Sequence, residues 1–97
     1  MNTGICKLQL HIPGNQSLKE KRRVVKSIIS KLHNQYNISV AEVDDHDLWQ
    51  LATLGISCVS NNGQHIDETI TKIINFIGQN YPELEIVSQE IEIIHGP

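Results

Sequence analysis

Apolar and polar residues alternate along four stretches of this chain and recur at helical spacing along two others. Over residues 5–12, Cys6, Leu8, Leu10 and Ile12 fall on one face and Ile5, Lys7, Gln9 and His11 on the other, the period of a half-buried strand. Over residues 17–36 the pattern changes. At about 100° per residue Leu18, Val24, Val25, Ile28, Ile29, Leu32 and Tyr36 share one broad face, which predicts an amphipathic helix lying on a sheet. Residues 38–43 and 51–59 alternate again, the second with Ala52, Leu54, Ile56 and Cys58 on one side and Leu51, Thr53, Gly55, Ser57 and Val59 on the other. A second helix is predicted near residues 64–80 from the stripe Ile66, Ile70, Ile73, Ile74 and Ile77, and a last strand over residues 84–94.

Local signals agree with these boundaries. Ser17 followed by Glu20 predicts a capping box in which each side chain satisfies the other residue's backbone N–H. Pro13-Gly14-Asn15, Ser60-Asn61-Asn62-Gly63 and Pro82 break the chain between elements. Asp67 and Glu68 are expected in the first turn of the second helix, where the helix dipole favours acids. The order β-α-β-β-α-β predicts an α+β, ferredoxin-like fold: a four-stranded antiparallel sheet of order 4-1-3-2 with both helices on one face. At 97 residues the chain is expected to be a single domain, residues 1–97. In that topology Cys6 and Cys58 lie close together on the helix-covered face of neighbouring strands, as free thiols in a reducing compartment.

Charge adds what periodicity does not. Net charge is −3, but six of the eight Lys and Arg lie between positions 19 and 31, while residues 42–97 hold ten acids and a single base, Lys72. Lys19, Arg22, Arg23 and Lys26 stand at i, i+3, i+4 and i+7, so they form one stripe beside the apolar face of the first helix. Lys21 points towards the apolar edge and is expected to snorkel outwards. Cations near a helix N-terminus oppose its dipole, at about 0.3 to 1 kcal/mol each when exposed. One reading is a solvated helix face; the other is an anion site built from Lys19, Lys21, Arg22, Arg23 and Lys26 for phosphate.

The loop between the second and third strands, Asp44-Asp45-His46-Asp47-Leu48-Trp49-Gln50, carries with Glu42 four acids and a histidine within six residues. Oxygen and imidazole ligands suit a divalent metal, but the spacing matches no established loop, so no metal site and no cofactor is expected. The preferred reading is a solvated connection whose Asp residues accept backbone N–H bonds and whose Trp49 plugs the end of the core.

The stretch Ser39-Val-Ala-Glu-Val-Asp-Asp-His-Asp-Leu-Trp-Gln-Leu-Ala-Thr-Leu-Gly-Ile-Ser-Cys-Val-Ser60, with Ser17-Leu-Lys-Glu-Lys-Arg-Arg-Val-Val25, resembles the YlxP-like family of small bacterial proteins of unknown function. The resemblance extends over nearly the whole chain. It implies a ferredoxin-like fold, a bacterial cytoplasmic setting and association with RNA or the ribosome, since members are often encoded beside translation-initiation and ribosome-maturation genes. It brings no catalytic residues with it.

Enzymatic readings fail on the residues present. Acylphosphatase-type chemistry on this fold needs an arginine in the loop after the first strand, and Pro13-Gly14-Asn15-Gln16 has none. Cys6 and Cys58 fall on the core face, where burial raises a thiol pKa, so no cysteine nucleophile is expected and the chain is not read as an enzyme. His11, His33, His46, His65 and His95 are scattered. The open sheet positions Lys7, Gln9, His11, Thr53, Gly55 and Ser57 include no aromatic residue, unlike an RNA-recognition motif, and no GxxG loop of the KH type appears. No stretch approaches the roughly 20 apolar residues of a membrane span and no basic leader is present, so a cytoplasmic location is expected.

Two functions of different class survive. The first is an RNA- or ribosome-associated binding protein that docks its basic helix on phosphates of a structured RNA. The alternative is an oligomeric regulatory or ligand-binding module, a homodimer formed through the open sheet face around Ala41, Val43, Gly55, Ser57 and Val59.

Overall fold

A computed structural model describes every residue from Met1 to Pro97. The elements are β1 (Asn2–His11), α1 (Leu18–Gln35), β2 (Ser39–Asp44), β3 (Leu51–Ser60), α2 (Gly63–Asn80) and β4 (Glu85–His95). The strands form one antiparallel sheet of order β2-β3-β1-β4, which is 4-1-3-2 read from its other edge.

The alternation along β1 and β3 decides which face the helices cover. Cys6, Leu8 and Leu10 of β1 and Ala52, Leu54, Ile56 and Cys58 of β3 are buried, and they meet Val25, Ile28 and Leu32 of α1 and Ile66, Ile70, Ile73 and Ile77 of α2. All are aliphatic or small. Aliphatic side chains make up most of this core, and Tyr81 is the one aromatic residue buried in it. The approach of α2 is tight at Gly4, where an added Cβ would collide with Ile66 Cγ2. Gly4 opposes Cys58 and Cys6 opposes Ile56, so the two thiols are diagonal neighbours on one face, as the sequence predicts, and both are free.

Helix ends depart in two details from the sequence reading. Ser17 caps α1 by accepting the Glu20 N–H at 3.1 Å, but Glu20 Oε2 reaches back to the Gln16 N–H at 3.1 Å, one residue beyond the expected partner. In α2 the cap is Asn62, whose side chain accepts the Gln64 N–H at 2.9 Å. The helix therefore starts at Gly63, and Asp67 and Glu68 lie in its second turn rather than its first.

The helices touch along one flank. Ser27 Oγ and Tyr81 Oη are 2.7 Å apart, Tyr36 meets Phe76 edge-on with centroids 6.0 Å apart, and Lys31 Nζ lies 4.9 Å from the Tyr81 ring centre. On a wheel stepping about 100° per residue, Ser27 and Lys31 sit at about 180° and 220° from Leu18, whereas the stripe of Lys19, Arg22, Arg23 and Lys26 spans about 40° to 140°. The basic stripe thus faces away from α2.

Candidate nucleic-acid interface

Lys19, Arg22, Arg23 and Lys26 are all exposed on the first turns of α1. The two ion pairs of the molecule are His11 with Glu85 and Lys21 with Glu42, so none of the four is neutralised by a carboxylate. Glu20, the acid nearest them in sequence, is turned back onto the Gln16 N–H. Because the helix's own cap already occupies part of its N-terminus, an anion meeting this end is recognised chiefly by the side-chain cations.

Lys21 does not belong with them. It is fully buried, and its ammonium donates to the backbone carbonyls of Asp45 at 2.6 Å, Leu51 at 2.9 Å and His46 at 3.3 Å. Glu42 Oε2 lies 3.0 Å away and supplies the counter-charge. An ammonium has three protons, and the three carbonyls take them all, which is why Glu42 Oε2 is buried without a hydrogen-bond donor. The expected snorkelling is replaced by an internal clasp that holds the β2–β3 loop against α1, and Lys21 is withdrawn from any phosphate.

The loop itself is tied down throughout. Asn15, a buried polar side chain, donates through Nδ2 to Trp49 O at 2.5 Å and to Ser17 O at 3.3 Å. Gln50 Nε2 donates to Asn15 O at 3.0 Å, and the Ile12 N–H to Gln50 O at 2.8 Å. Asp45, at φ 61, turns its carboxylate onto Thr53 Oγ1 at 2.5 Å and Gln9 Nε2 at 3.3 Å. The Thr53 hydroxyl above all holds the Asp45 pKa below the usual carboxylate range, assisted by Gln9 and by the charges of Lys21 and Lys7 against a smaller opposing effect of burial. Thr53, expected on the open sheet face, is buried beneath this carboxylate.

Trp49 is 54% exposed and does not plug the core. The loop is held by its backbone and by the side chains of Asp45 and Gln50, and the Leu48 and Trp49 side chains are left in solvent. No three His, Cys, Asp or Glu side chains gather around a common point that would hold a metal ion. Cys58 and His65 line one cleft at the opposite end of the molecule, but no hydrogen bond joins them. Burial raises the Cys58 pKa and pushes the Cys6 thiol up to about 11, with Cys58 adding to the effect on Cys6, the reverse of what a nucleophile needs.

Residues 3–91 match the family model described as "Protein of unknown function (DUF503)". The chain belongs to this family. Its YlxP-like character is explicit in one relative, the "Uncharacterized protein YlxP" of Bacillus subtilis (strain 168), which is 36% identical over 69 residues, or 71% of this chain and 74% of that protein. Among solved structures, this YlxP-like chain is similar in fold to the de novo designed protein Foldit4, with a TM-score of 0.56 at 13% identity over 98% of this chain and 99% of that one. It is also similar to the de novo designed protein LFR1 1 with ferredoxin fold, with a TM-score of 0.50 at 16% identity over 97% and 84% of the two chains. At those identities the likeness concerns the fold alone. No helix of the YlxP-like chain is long and apolar enough to cross a membrane.

Proposed function

We propose that this YlxP-like protein is an RNA- or ribosome-associated binding protein of the cytoplasm, and not an enzyme, and that α1 is its phosphate-contacting element. The observation that carries the reading is the row of four exposed, unpaired cations, Lys19, Arg22, Arg23 and Lys26, on a chain that is otherwise acidic. Exposed cations opposing a helix dipole lower stability slightly, so their clustering favours a role other than folding. Their placement in one stripe along the helix suits phosphates of a structured RNA and reads backbone shape rather than sequence. Retention on structured ribosomal RNA at low salt tests this. The wild-type protein is expected to be retained and the Arg22→Ala, Arg23→Ala, Lys26→Ala variant to be lost; equal retention of both would overturn the reading.

A second reading is favoured by a separate observation. Ile5, Val43, Val59 and Ile94 stand 40%, 50%, 65% and 43% exposed, and all belong to the sheet face that the helices leave open. We propose as the alternative a homodimeric regulatory or ligand-binding module that covers these residues with a second copy. Light scattering at high concentration distinguishes it: a dimer that Val59→Glu dissociates supports the module, and a strict monomer removes it.

A further inference from the structure

We propose that Trp49 is a base-stacking residue, held beside the basic stripe to receive an unpaired base of the same RNA whose phosphates that stripe contacts. The proposal rests on the phosphate-binding reading above and names the class of RNA it takes: one with a loop, bulge or single-stranded end.

The indole is presented rather than packed. Trp49 is the sole tryptophan of the chain, and the other three aromatic residues, Tyr36, Phe76 and Tyr81, lie at the contact between the helices or against the core. Only Trp49 offers a free aromatic face. Yet its loop is held on several sides: a buried asparagine holds the Trp49 carbonyl, a buried lysine holds the carbonyls of Asp45, His46 and Leu51, and the Leu48 N–H closes on Asp45 O at 3.1 Å. A rigid aromatic side chain on a fixed loop gives up little conformational entropy when it binds.

The same ties fix its position relative to the cations. The Asn15 amide bridges Trp49 O and Ser17 O, so the loop and the N-cap of α1 share one hydrogen-bonding group. The Trp49 backbone therefore lies against the N-terminus of α1, the end of the helix that carries the stripe. Asp44 at the end of β2 and Asp47 in the loop, both exposed, repel a phosphate backbone and confine it to α1, whereas an uncharged base enters the loop without that penalty. The open sheet, which in other folds of this shape supplies the stacking platform, has no aromatic residue to compete.

The test uses two RNAs, a hairpin with an unpaired loop and a blunt duplex of the same stem, titrated into the full chain at low salt. Binding is followed by anisotropy of labelled RNA and stacking by Trp49 emission, which has a single source. The hairpin is expected to quench the indole and the duplex to bind without quenching. Trp49→Ala should weaken hairpin binding by about tenfold, the loss of one stacked base, and leave duplex binding unchanged. Trp49 gives only its carbonyl to the loop's hydrogen bonds, so this variant should fold, which far-UV circular dichroism checks. If hairpin and duplex bind wild type and Trp49→Ala alike, stacking is wrong and phosphate binding stands. If neither RNA binds the wild-type protein, phosphate binding fails first and stacking falls with it.

Discussion

The Lys21 ammonium lies 3.0 Å from Glu42 Oε2, yet its three protons go to the carbonyls of Asp45, His46 and Leu51. Charge and hydrogen bonds are thus supplied by different partners, and removing the lysine removes both. Lys21→Met leaves a largely buried carboxylate without a counter-ion and is expected to cost about 3 to 5 kcal/mol in urea unfolding. The double variant Lys21→Met, Glu42→Leu should be more stable than Lys21→Met alone, because no buried charge is left behind. A double variant no better than the single one would show that the carbonyls, not the ion pair, carry the loss.

Asp45 makes the loop sensitive to acid. Its folded pKa is lowered, chiefly by the Thr53 hydroxyl, so its contribution to stability is complete above the unfolded carboxyl value of about 3.9 and is lost as pH falls through the lower folded value. Thermal unfolding measured from pH 7 down to pH 2 should show stability falling below about pH 4 in the wild-type protein. Asp45→Asn should flatten that limb while leaving the neutral-pH fold intact. An unchanged acid limb would assign it to other carboxylates.

The strands, both helices and the sheet order were legible because β1 and β3 alternate cleanly and the isoleucines of α2 repeat at helical spacing. Lys21 departs from the expected snorkelling for a physical reason. At about 300° on the wheel it falls between Ile28 and Leu32, in the middle of the buried arc rather than at its edge. The carbonyls that accept its protons come from a loop 24 to 30 residues later, and no local pattern announces them. A large aromatic residue such as Trp49 is a reasonable core candidate, but the core is already filled, mostly by aliphatic side chains with Tyr81 as its one buried aromatic residue, and Trp49 stays outside it. Of the five cations expected at the site, the sequence located four at the surface, and only the fold could withdraw the fifth.

Both cysteines should be inert in the native protein. The Cys6 pKa is pushed up to about 11 by burial and Cys58 is raised as well, so neither is a thiolate at pH 8. Iodoacetamide at pH 8 is expected to leave the folded chain unmodified and to label both thiols in denaturant. The raised Cys6 pKa contributes stability that is full below the ordinary thiol value of about 8.5 and is lost as pH rises through about 11. Rapid labelling of the native chain would contradict the buried, diagonal placement of the pair.

The salt dependence of RNA affinity tests the central claim most directly. With Lys19, Arg22, Arg23 and Lys26 each on a phosphate, log K against log salt should fall with a slope of roughly −3 to −4, scaled from the slope per neutralised phosphate. The Arg22→Ala, Arg23→Ala, Lys26→Ala variant should shed most of that slope along with its affinity. A wild-type slope near zero, or a slope that the three substitutions leave unchanged, would contradict docking through α1.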